Sequence, residues 1–96
     1  MTMSKRDVYI ANIKLQLDEL NLKMSKVEAK ALEAKEDARA KYKEQIDDLR
    51  KQSKVAVAKL DEMKTAGEET WESMVDEMEK VRDAFKHSFN YFKSQL

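Results

Sequence analysis

The chain has no proline and a single glycine, Gly67, in 96 residues. Tight turns between strands draw on glycine for positive φ and on proline for a preset φ, so a sandwich, a barrel or an α/β fold with its many turns is nearly excluded. What remains is helix, and the wealth of Ala, Glu, Lys, Leu and Arg agrees with that. The hydrophobic fraction is 42%, but ten of those residues are alanines, which bury little. Large apolar side chains are therefore too sparse for one compact core, and the reading from sequence is that the helices finish their structure against a neighbour.

Nineteen basic residues face nineteen acidic ones, for a formal net charge of zero. Disordered chains favour Pro, Ser, Gly and a large net charge, none of which fits. Zero net charge also removes the broad electrostatic case for nucleic acid or an anionic surface. No apolar run approaches the length of a membrane span. The opening Met-Thr-Met-Ser-Lys-Arg-Asp leads into charged helix rather than an apolar leader, so the cytoplasm is the expected compartment. The absence of cysteine is compatible with any redox compartment.

Along the chain, residues 1–4 are expected to be disordered, with Ser4 and Asp7 spaced as a capping start. A long coiled-coil helix is expected over 5–66, roughly 90 Å long at 1.5 Å per residue. Its apolar residues alternate steps of four and three: Ile13, Leu17, Leu20, Met24, Val27, Ala31, Ala34 and Ala38. This heptad seam predicts a left-handed coiled coil. Consecutive steps of four from Ala34 through Ala38 and Tyr42 to Ile46 form a stutter, which locally unwinds a supercoil. The seam resumes through Leu49, Ser53, Ala56, Leu60 and Met63. Outside it, Lys and Arg interleave with Glu and Asp as a solvated, salt-bridged face.

Residues 67–96 are expected to form an amphipathic, aromatic-rich helix holding five of the seven aromatics. Met74, Met78, Val81, Phe85, Phe89, Phe92 and Leu96 recur with an 11-residue period, and Trp71 stands one step before them. With Lys80, Arg82, Lys86 and Lys93 nearby, this stripe reads as a packing seam or as a lipid-facing surface. Gly67 is the one evident place to turn, and Thr65 with Glu68 has capping-box spacing. Seam spacing also runs on through Met63, Gly67, Thr70 and Met74, so a continuous rod and a hairpin both stay open.

Chemistry-bearing constellations are few. His87 is the single histidine, and Asp83 one turn before it gives two ligands at most, too few for a closed metal site. Glu68, Glu69, Glu72, Asp76, Glu77 and Glu79 read as a solvated acidic face, since acid–base work needs a pocket that shifts pKa values. One glycine cannot build a phosphate-cradling loop. No catalytic residue, metal, cofactor or small-molecule substrate is expected.

The chain resembles the short bacterial coiled-coil proteins known as stress-response proteins. The matching features are Met-Ser-Lys-Arg-Asp-x-Tyr (Met3 to Tyr9), Leu-Gln-Leu-Asp-Glu-Leu-Asn (Leu15 to Asn21), the Ala/Lys/Glu/Arg middle, and Ala-Gly-Glu-Glu-Thr-Trp-Glu-Ser-Met (Ala66 to Met74) before the aromatic tail from Ala84 to Phe92. The resemblance implies a helical, non-enzymatic protein expressed under stress and carries over no site residues. The expectation is thus an all-α, homo-oligomeric coiled coil with a break or hairpin allowed near Gly67. It would act by self-association or on a protein client; the alternative is a peripheral lipid-binding protein using residues 68–96.

Overall fold

Ser4 stands in extended backbone and its hydroxyl accepts the amide N–H of Asp7 at 3.2 Å, so the first helix starts where the capping spacing places it. In the computed structural model, which describes residues 4–96, helix α1 covers Lys5–Leu32, α2 Glu36–Lys64 and α3 Glu68–Gln95. No strand occurs among the described residues. The disorder expected over residues 1–4 falls, apart from Ser4, outside them.

The helix expected over 5–66 is two helices, because the chain turns at Glu33, Ala34 and Lys35. Glu33 keeps helical dihedrals, with φ −81° and ψ −9°, and its N–H bonds back to the carbonyls of Ala31 and Lys30. Lys35 is extended, with φ −61° and ψ 153°, and opens α2 without a side-chain cap. No described residue needs a positive φ, so this turn needs neither glycine nor proline. Charge favours it: Lys30 sits in the last turn of α1, while Glu36 and Asp37 sit in the first turn of α2.

The second turn lies at the glycine. Gly67 has φ −75° and ψ 166°, ordinary extended backbone, and a Cβ there would meet nothing within 4 Å. Thr65 does not cap α3 as its spacing with Glu68 suggests; its hydroxyl donates to the Glu62 carbonyl at the end of α2.

Two turns fold the chain back on itself twice. Arg6 meets Met63 and Ala66, Glu28 meets Arg50, Lys59 meets Glu77, and Tyr42 meets Gln95. So α2 runs antiparallel to both α1 and α3, and the bundle measures 51 × 25 × 18 Å. Ile13, Leu17, Met24 and Ala31 of α1 close on Ile46, Leu49, Ala56, Leu60 and Met63 of α2 and on Met78, Phe85, Phe89 and Phe92 of α3. The neighbour that the thin seam requires is thus another part of the same chain. Three apolar stripes, each too narrow to fold alone, enclose one core.

Candidate functional site

The heptad seam turns inward throughout. Ile13, Leu17, Met24, Ala31, Ile46, Leu49, Leu60 and Met63 are buried. Leu20, Val27 and Tyr42 are half-buried against them, as is Ala38, and Ala34 is half-buried in the first turn. The C-terminal stripe does the same: Met78, Phe85, Phe89 and Phe92 are buried, and Trp71, Met74 and Val81 pack at the edge. Within the bundle, α3 keeps no broad apolar face for a lipid surface; of its large apolar residues, Tyr91 alone stands well exposed.

Polar groups stitch these faces in register. Ser53, one of the seam positions, donates its hydroxyl to Asn21 Oδ1 at 2.7 Å, a bridge between α1 and α2 within an otherwise apolar interface. Such a bridge favours one register, since a slip leaves both groups unpaired. Arg50 pairs with Glu28, and Lys59 with Glu77. The hydrogen bond that the Lys59 ammonium donates to the Glu77 carboxylate holds it above the usual lysine range.

The first turns of α1 meet the end of α2 and the start of α3 at one end of the bundle. Arg6 Nη2 donates to the Ala66 carbonyl at 2.6 Å and to the Met63 carbonyl at 3.0 Å, which supplies partners for the orphan end of α2. Its guanidinium carbon lies 4.4 Å from the centroid of the Trp71 ring, and Tyr9 meets the same ring edge-on at 5.8 Å. The Tyr9 hydroxyl is shielded from solvent with no hydrogen-bond partner in good geometry; burial, then the Glu79 carboxylate, push it above the usual tyrosine range. At the opposite end Tyr42 meets Phe92 edge-on at 5.7 Å and donates to the last helical carbonyl of α3, that of Gln95, at 3.3 Å. These residues hold helix ends together, a structural task.

Beside the exposed side chains of Leu32, Val55 and Val57, two surface features stand out once the core and its clasps are accounted for. The first is on α1. Val8, Leu15 and Leu22 follow one another at seven-residue intervals on the side opposite the buried seam, and they are 44%, 62% and 61% exposed. Ala29 continues the line and is exposed as well. Sequence reasoning followed the stronger inner seam and passed over this one, although the even spacing is visible in the sequence.

The second is a groove of about 430 Å³ between α2 and α3. Its lining is Gln45, Asp48, Leu49, Gln52, His87, Ser88, Tyr91 and Phe92. Leu49 and Phe92 are buried, while Tyr91 stands 63% exposed. Gln52 Nε2 donates to Ser88 Oγ at 3.2 Å, yet the amide oxygens of Gln45 and Gln52 are shielded from solvent with no partner. His87 lines this groove, and Asp83 instead pairs with Arg82, so the two do not form the pair their spacing offers. Among the described residues, no three His, Cys, Asp or Glu side chains converge as a metal-binding set. The acidic face of α3 is exposed except at Glu79, which is half-buried. No helix of the described residues is long and apolar enough to cross a membrane. Compared with family models, with curated proteins and with solved structures, the chain finds no match.

Proposed function

We propose that this chain is a non-enzymatic helical interaction protein that pairs the outer face of α1 with the same face of a second copy. A role in stress is what the resemblance to the bacterial family implies, and it rests on that resemblance alone. One observation carries the reading: the line Val8, Leu15, Leu22 stays exposed at even heptad intervals. Scattered surface leucines need no account. A line repeated every seven residues along a 28-residue helix is the pattern by which one helix seats another.

Charge supports self-pairing. A net charge of zero sets up no long-range repulsion between copies. An antiparallel pairing centred on Leu22 brings Asp18 opposite Lys26 of the second copy, and symmetry makes that contact twice. A parallel pairing instead stacks Asp18 and Glu19 on their own counterparts, so the antiparallel arrangement is favoured. Docking α3 on a lipid surface would first have to expose Met78, Phe85, Phe89 and Phe92.

Sedimentation equilibrium tests the proposal. The native chain should reach twice the monomer mass as concentration rises into the micromolar range. Leu15→Glu with Leu22→Glu should stay monomeric with unchanged helicity and melting, because neither residue belongs to the core. A native chain that remains monomeric at millimolar concentration, or a double variant that dimerises as before, overturns it. If the stripe instead serves a client helix, the native chain is monomeric and the self-pairing reading falls.

A further inference from the structure

We propose that the groove between α2 and α3 binds a small amphipathic organic amine. This stands on different residues from the α1 face and does not depend on it. The argument begins with two glutamines. Gln45 and Gln52 lie one heptad apart, so their backbones are about 10 Å apart along α2. Both line the groove, and the amide oxygen of each is shielded from water and unpartnered. A buried acceptor without a donor costs free energy that the fold recovers nowhere within the chain. Leucine or methionine at either position would avoid the cost and extend the apolar floor made by Leu49 and Phe92. Groups that cost stability at the wall of a groove are the kind that binding sites retain.

The lining also sets the chemistry of the occupant. It holds no lysine or arginine; its titratable side chains are the Asp48 carboxylate, the His87 imidazole and the Tyr91 phenol. Two amide oxygens and a carboxylate call for N–H donors carrying positive charge. Each amide must turn about its last torsion to present its oxygen to a seated donor, which moves no helix and at Gln52 exchanges the bond to Ser88 for one to the ligand. The apolar part of the ligand would lie on Leu49 and Phe92, with the exposed ring of Tyr91 beside the cation. The groove, at about 430 Å³, is in the size range of small-molecule sites.

Tryptamine serves as the probe, with indole-3-propionate as an anion of similar shape. The whole chain, labelled with ¹⁵N, would be titrated with each and followed through backbone and glutamine side-chain amide signals. Tryptamine should give saturable shifts at Gln45, Gln52 and Tyr91, and the anion should bind at least tenfold more weakly. Asp48→Asn should weaken tryptamine about fivefold, the range of one exposed charge pair. Gln45→Leu with Gln52→Leu should abolish the shifts while melting at the native temperature or above, which separates lost binding from lost folding. Equal binding of amine and anion, shifts scattered outside the groove, or no saturation at millimolar tryptamine overturns the proposal.

Discussion

Replacing Arg6 with alanine removes a clasp that ties three parts of the chain together. One guanidinium nitrogen donates to the carbonyls of Met63 and Ala66, and the guanidinium plane covers Trp71. A hydrogen bond from a charged donor contributes about 1.5–3 kcal/mol, and a half-exposed cation–π contact about 0.5–1 kcal/mol. These do not add in full, because both bonds share one nitrogen and water can reach the end of α2 once the side chain is gone. A net loss of about 2–3 kcal/mol follows, which for a chain below 100 residues lowers Tm by about 10–20 °C. Arg6→Lys keeps the charge and a donor but loses the planar group that covers Trp71, so roughly half the loss should remain. Urea unfolding followed by far-ultraviolet circular dichroism reads the loss, and Trp71 emission in the folded state reports the exposed ring. An Arg6→Ala variant within about 0.5 kcal/mol of native, with Trp71 emission unchanged, would refute the assignment of Arg6 as the clasp.

Three further outcomes follow from the same geometry. Lys35→Ser should raise stability by about 0.5–1 kcal/mol in urea melts, because Lys35 opens α2 with no side-chain cap; in an unbroken helix the same change would lower it, so the sign tests the turn. Stability should decline as pH rises above about 10, because Tyr9 and Lys59 both hold their protons more tightly in the folded chain than in the unfolded one. Both contributions are complete at neutral pH and lost on the alkaline side, and Tyr9→Phe should remove the tyrosine share; an equally steep alkaline decline in Tyr9→Phe would contradict that origin. Leu17→Asp places a carboxylate at a 2% exposed core position and should unfold the single chain, with helicity lost at every concentration; a fully helical variant would contradict the burial.

The inward face of the fold was legible residue by residue, since heptad spacing reports which side chains share a face whatever lies opposite. It could not report that the opposite face belongs to the same chain. That depended on the turn at Glu33 to Lys35, which is built from helix-forming residues in ordinary dihedrals and carries no glycine or proline to announce it. Two signals were available: the seam thins to alanine at Ala31, Ala34 and Ala38, and a basic helix end at Lys30 gives way to the acidic pair Glu36 and Asp37. Gly67 drew attention for the opposite reason, since it is conspicuous in sequence yet occupies a conformation open to any residue. The groove amides were not legible at all. Gln45 and Gln52 look like surface residues in a polar helix until α3 packs over them.

The distance between the start of α1 and the end of α2 separates a folded-back chain from a rod most directly. The protein has no native cysteine, so Lys5→Cys with Thr65→Cys accepts two spin labels cleanly. Pulsed electron–electron resonance, with labelled chains diluted into unlabelled ones, then reads that distance within single molecules. The bundle requires a narrow distribution below about 20 Å, the range of labels on adjacent helices. A distribution near 90 Å, the length of an unbroken helix over 5–66, would contradict it.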